Sequence, residues 1–212
     1  MVAKGGAPDA LLLITGGCQH CPAVLQALTV LLKEGVIGRL RIINVAAHIE
    51  EVESRGIQSV PWTQIGAFEI EGVVSVSKLR ELALGVNDDA VLDNWVLELL
   101  KAGKRQKFEA LVRAEPLRIH ALVRLLSNPE TSMAIRLGIG AVLEELHGSG
   151  LTEALIPALG DLLKSEDRLL RTDACHFLTL IGGAGIRPTM RVCLEDADPE
   201  IREMAQEALG KR

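Results

Sequence analysis

Cys18 and Cys21 are the residues of this chain best suited to chemistry, two thiols three positions apart in Thr15-Gly16-Gly17-Cys18-Gln19-His20-Cys21-Pro22. With the second cysteine on the first turn of a helix, that spacing lets the two sulfurs meet and form a reversible disulfide. The positive end of the helix dipole favours the thiolate over the thiol. His20 lies between the two. As an imidazolium it would stabilise a thiolate and make the disulfide more oxidising; as a neutral ring it would only fill the dithiol loop, and both readings stay open. Gln19 is expected to face solvent. Zinc and copper loops use the same cysteine spacing. A zinc site needs two further ligands, however, and the sequence offers no second Cys-x-x-Cys or His pair at a familiar spacing. His48, His120, His147 and His176 are scattered singly and read as ordinary surface or core side chains.

The elements around the dithiol must supply a strand before it and a helix after it. Residues 10–15 are a continuous apolar run, as expected of a strand buried on both faces. From Cys21 to Glu34, Val24, Leu25, Leu28, Leu31 and Leu32 recur at helical spacing, and Gly35 closes the helix. A strand over Arg39–Val45 and a short acidic helix over 49–55 come next. Two strands around 61–65 and 68–70 are joined by a Gly66-Ala67 turn. A helix capped by Ser75 or Ser77 then runs to Gly85. The predicted order is β-α-β-α-β-β-α.

Beyond Asn87 the pattern changes to amphipathic helices over 88–102, 104–114, 117–127, 131–146, 151–164, 167–181, 186–194 and 199–209. Asp198-Pro199 is a good start, with Asp as N-cap and Pro at the first helical position. Arg136, Arg171 and Arg202 each lie early in the second helix of a pair, 35 and then 31 residues apart, and Ala174 and Ala205 follow the latter two by three. A period in the low thirties built from helix pairs points to an α-solenoid. The pairs resemble HEAT repeats, most clearly over 155–181 and 188–209; an irregular helical bundle is the alternative. The three arginines either bridge neighbouring repeats through carboxylates such as Asp173 or Glu195, or form a ligand-binding ladder on one face.

Composition narrows the class. Of 212 residues 48% are hydrophobic but only 2% aromatic, so the core has to be aliphatic. A net charge of −5 argues against a nucleic-acid partner. No apolar run approaches a membrane span, and residues 10–14 make a poor secretory signal. Cys175 and Cys193 stand alone in helical patterns as small buried apolar residues, and such free thiols suit a reducing cytoplasm.

Ser59-Val60-Pro61 follows the dithiol by about forty residues, at the start of a strand. With Cys18-Gln19-His20-Cys21-Pro22 after a buried strand, this combination resembles the thioredoxin superfamily, and the element order looks like its glutaredoxin-type core. The segment is also similar to the N-terminal region of the alkyl hydroperoxide reductase flavoprotein subunit and to archaeal glutaredoxin-like protein disulfide oxidoreductases. The resemblance covers residues ~8–85. It implies that Cys18 is the nucleophile and Cys21 the resolving thiol. It further implies that Pro61 is cis and that it presents neighbouring backbone groups, those of Val60 among them, to an extended substrate strand; Trp62, directly after it, and His20, between the cysteines, are expected to border the substrate as well. It departs from thioredoxins proper in having Gly17 where they carry Trp, and Leu12 where they carry a buried acid six positions before the first cysteine. Weaker or narrower reductase activity is the expectation.

The expected architecture is therefore an α/β thioredoxin-like domain over residues 1–86 and an all-α HEAT-like domain over 88–212. The function that follows is thiol–disulfide oxidoreduction at Cys18 and Cys21, with the repeats recognising a protein client. Thioredoxin reductase or glutathione would donate electrons, and no cofactor is needed beyond the cysteine pair. A non-catalytic scaffold or redox sensor is the rival reading. Metal delivery through Cys18, Cys21 and His20 is a third.

Overall fold

A strand with apolar side chains on both faces has to lie between two layers, and β1 (Asp9–Ile14) does so. The computed structural model describes residues 6–53 and 55–210; Ser54, inside the helix expected over 49–55, lies outside them. Strand β1 runs parallel to β2 (Arg39–Asn44) and antiparallel to β3 (Trp62–Ile65), which pairs with β4 (Phe68–Glu71). The order across the sheet is β2-β1-β3-β4. Helix α1 (Cys21–Lys33) follows β1, α2 (Glu50–Glu53) follows β2, and α3 (Val76–Leu84) follows β4. Gly66, at φ 55°, takes the left-handed conformation that lets β3 turn into β4.

Alternation along β1 divides the core in two. Ala10 and Leu12 pack with Val24, Ala27, Leu28 and Leu31 of α1 and with Leu79 and Ala83 of α3. Leu11 and Leu13 point the other way, onto Ile43, Ile57 and Trp62. Ser75 is the N-cap of α3, its hydroxyl accepting from the Lys78 N–H at 3.2 Å.

The chain divides into two compact units between Leu92 and Asp93, a point inside α4 (Asp89–Lys101). The second unit continues with α5 (Arg105–Ala114), α6 (Ala121–Leu126), α7 (Met133–Glu145), α8 (Ile156–Leu162), α9 (Arg168–Ile181), α10 (Arg187–Cys193) and α11 (Pro199–Gly210). Three of the expected helices are each a 3-10 turn leading into a shorter α-helix. The turns are Pro116–His120 before α6, Thr152–Leu155 before α8 and Ala184–Ile186 before α10. Pro157 and Pro188 explain two of them, since a proline in the first turn of α8 or α10 has no N–H to donate and clashes with the carbonyl four residues back. The α-helical pattern must begin there. Among the described residues no helix is long and apolar enough to cross a membrane.

The recurring arginines bind the turn that precedes them. Arg136 donates to the carbonyls of Thr131 and Asn128, Arg171 to those of Ser165 and Glu166, and Arg202 to those of Asp196 and Ala197. Two also reach a carboxylate on a later element: Arg136 pairs with Asp173, and Arg171 pairs with Asp196 at 2.9 Å. The expectation of a bridge through Glu195 is corrected. Glu195 is exposed, whereas the Asp196 side chain is held in the turn before α11 by the Asp198 N–H at 2.8 Å.

Glu109 on α5 is a buried carboxylate, 7% exposed, beside Arg105 at 3.1 Å. Burial pushes its pKa above the ordinary 4.5, and repulsion from Glu145 adds to this, against the pull of Arg105 and Arg113. The folded protein therefore holds this proton more tightly than the unfolded chain does, so Glu109 makes stability fall as pH rises from 4.5 through its raised value. Glu109→Gln should flatten that part of the profile and leave the variant more stable than wild type at neutral pH. Urea midpoints across the range test this; parallel curves for the two proteins would refute it.

Candidate functional site

Cys18 and Cys21 are joined as a disulfide, with Cα atoms 5.5 Å apart. The strand-to-helix junction sets this up. The Cys18 N–H donates to the Thr15 carbonyl at 3.2 Å, closing the turn after β1, and Cys21 is the first residue of α1 with Pro22 beside it. The two sulfurs differ in access. Cys18 is half-buried, whereas Cys21 is 4% exposed.

The local electrostatics favour charge on Cys18. The backbone N–H of Cys21 points at the Cys18 Sγ from 3.0 Å. When the pair is reduced, that donor and the N-terminus of α1 both favour a Cys18 thiolate. The Val60–Pro61 peptide is cis, and the Val60 carbonyl oxygen lies 3.7 Å from the Cys18 sulfur. Cys18, Val60 and Pro61 are thus brought together as the sequence led one to expect. Val60 is half-buried and Pro61 buried.

Trp62 does not join them. The expectation that it borders the substrate is corrected: its side chain is 0% exposed and packs with Leu11, Leu13, Ile43 and Ile57. Trp62 opens β3 opposite Leu13, and residues directly opposite one another share a face of the sheet. Leu13 points to that interior, so Trp62 must too. His20 occupies the residue before α1, exposed, with no side-chain hydrogen bond capping the helix. Gln19 is exposed as well.

Leu12 is fully buried in the α1 core, so this strand carries no carboxylate behind the dithiol. Opposite it on β3 is Thr63, also fully buried, whose hydroxyl has no hydrogen-bond partner among the described residues. Two further residues escaped sequence reasoning. The Gly72 N–H donates to the Pro61 carbonyl at 2.8 Å, which places the segment after β4 beside Pro61, and Val73, next in the chain, is 55% exposed. Only a residue-type signal was available there, a glycine after a strand, and it says nothing of its partner.

This arrangement can do sulfur–sulfur exchange. One sulfur is reachable and supported as an anion; the second is held in the interior within bonding distance of the first. Among the described residues no group of three His, Cys, Asp or Glu side chains is placed to hold a metal ion. No match was found among curated proteins. Residues 10–83 match the family profile described as a thioredoxin domain. In profile and in fold, the N-terminal unit is a thioredoxin-like domain, followed by an all-helical unit.

Proposed function

We propose that the chain is a thiol–disulfide oxidoreductase working through Cys18 and Cys21, whose helical unit recognises the protein client. The observation that carries this is the Cys21 N–H at 3.0 Å from a half-buried Cys18 sulfur. In the reductive direction the Cys18 thiolate attacks one sulfur of a client disulfide and expels the other as a thiolate. Cys21 then loses its proton and attacks the Cys18 sulfur of the mixed disulfide. The second client thiolate leaves, and the Cys18–Cys21 disulfide remains. Two electrons have passed to the client, and glutathione or a thioredoxin reductase would restore them. A client strand lying along Val60 and Pro61 would meet Cys18 on one side and the exposed Val73 on the other.

For the helical unit we propose HEAT-like repeats. The arginine-to-turn bonds shared by Arg136, Arg171 and Arg202 support that reading. Met133 and Leu137 on α7 are 65% and 67% exposed. They border a groove of about 290 Å3 floored by Gly140, Phe177 and Leu180, with Glu144 and His176 at its rim. An apolar client side chain fits such a floor, and tethering a client there raises its concentration at the dithiol.

Two measurements test the proposal. The purified protein should reduce a model disulfide with glutathione or thioredoxin reductase as donor, over many turnovers. A dithiol of very low potential with no turnover would favour a redox sensor instead. Leu137→Glu should lower the yield of client mixed disulfides about tenfold, the scale of an interface hot spot, and leave reduction of the model disulfide unchanged. Equal client yields from both proteins would remove the groove from the mechanism.

A further inference from the structure

Three helices of the second unit turn equivalent sides inward. Helix α9 packs against both α7 and α11. In each helix two apolar residues four positions apart are buried: Ile135 and Ile139 on α7, Leu170 and Ala174 on α9, Ile201 and Ala205 on α11. The first of each pair stands directly before Arg136, Arg171 or Arg202, so the three helices share one register. At 3.6 residues per turn, the residues two and six places beyond that first one face the opposite, outer side. They are Leu137 and Ala141 on α7, Thr172 and His176 on α9, and Glu203 and Glu207 on α11. Leu137, His176, Glu203 and Glu207 are exposed, and Ala141 and Thr172 are half-buried. The outer row thus changes from apolar on α7, through polar on α9, to acidic on α11.

The apolar end of this row is the groove between α7 and α9, where Met133 joins Leu137 and Phe177 lies in the floor. Glu144 stands at its rim and is exposed. The cations nearby are already engaged. Arg168 takes the Met133 place on α9, and it pairs with Asp198 and Glu200. Arg202 is turned back to the carbonyls of Asp196 and Ala197. The carboxylates of Glu144, Glu203 and Glu207 therefore set the sign of the face.

We propose that the outer face of α7, α9 and α11 recognises a client segment of defined chemistry: an amphipathic helix with apolar side chains at one end and lysines or arginines on the same face at the other. This rests on the client-binding reading of the α7–α9 groove and names what that groove accepts. Packed helices lie about 8–10 Å apart, so α7 to α11 spans about 18 Å, or roughly 12 residues of client helix. Leucine-sized side chains of the client enter the groove beside Leu137, and its cations meet Glu203 and Glu207 across the row. A second copy of this chain would bring the same carboxylates and be repelled, as would the phosphates of a nucleic acid.

The test uses full-length protein and a fluorescein-labelled, alanine-based helical peptide of about 16 residues. The peptide carries leucines on one face of its first half and lysines on the same face of its second. Fluorescence anisotropy should show binding that weakens with salt, and about tenfold or more weaker binding when serine replaces the leucines or glutamate the lysines. Glu203→Lys with Glu207→Lys should lower affinity for the lysine peptide about tenfold and raise it for the glutamate peptide. Leu137→Ser should weaken both. The substituted side chains are exposed, so each variant should melt with wild type and reduce a model disulfide at the wild-type rate. Equal affinity for the lysine and glutamate peptides, or a preference that charge reversal leaves unchanged, would overturn the proposal. Selective peptide binding without reduction of the model disulfide would sink the exchange at Cys18 and uphold this face; reduction without peptide selectivity would do the reverse.

Discussion

Cys18→Ser is expected to lower the rate of disulfide exchange by a factor on the order of 10^3 or more, because a serine hydroxyl cannot replace the thiolate that makes the first attack. Cys21→Ser should behave differently. Its Cys18 stays reachable, and the backbone N–H that supports the thiolate belongs to the main chain of residue 21, so the substitution keeps it. First attack proceeds and resolution does not, and the mixed disulfide accumulates. Gel electrophoresis of each variant under non-reducing conditions, with sulfur-to-sulfur mapping by mass spectrometry, separates the two outcomes. Adducts through Cys18 in the Cys21 variant, and none in the Cys18 variant, are required. Equal adduct yields from both would assign the nucleophile wrongly. The asymmetry rests on exposure: a client reaches the half-buried Cys18 and is kept from Cys21, which is 4% exposed.

The largest stability effect is expected at Arg136. Its side chain is 3% exposed, pairs with Asp173, and satisfies the carbonyls of Thr131, Asn128 and Pro129. Removing one member of a buried ion pair leaves the other charged and unpaired, which costs about 3–5 kcal/mol. Arg136→Met should therefore lower the melting temperature of the helical unit by about 10–20 °C. Adding Asp173→Leu should restore part of the loss by removing the stranded carboxylate; the open turn carbonyls keep recovery incomplete. Arg168→Ala is the control. It deletes the contacts to Asp198 and Glu200, yet the Arg168 side chain is 58% exposed, so water replaces them with little change. Thermal melts followed by circular dichroism decide the matter. Equal shifts for Arg136→Met and Arg168→Ala would mean that burial does not set the strength of these pairs.

Much of this was legible in the residues. A continuous apolar run bounded by Gly16-Gly17 required a buried strand, and Cys21-Pro22 required a helix start. Val60-Pro61 was expected in cis beside Cys18, and it lies there. The eight amphipathic stretches correspond to helices because their apolar period admits no other element. What escaped is information carried by the main chain or by register. The bond from Gly72 to Pro61 joins two backbone groups and leaves no residue-type trace. The burial of Trp62 depends on its standing opposite Leu13, a pairing known only once β1 and β3 are aligned. Asp196 and Glu195 are neighbours of like charge, and only the turn before α11 determines which one meets Arg171.

The arginine-to-turn bonds bear on the order in which the two units can assemble. Each spans only five or six residues along the chain in its shortest contact, as in Arg136 to Thr131 or Arg202 to Asp196. The sheet instead has to bring Leu13 to Trp62, across about fifty residues. Closing the longer loop costs about 2 kcal/mol more in chain entropy. Turns of the helical unit can thus form locally, each within its own helix pair, before distant partners arrive. The unit bearing the dithiol has no such shortcut: β1 and β3 must find each other before Cys18 has Val60 beside it, so the chemistry becomes available only when the slowest contact has formed.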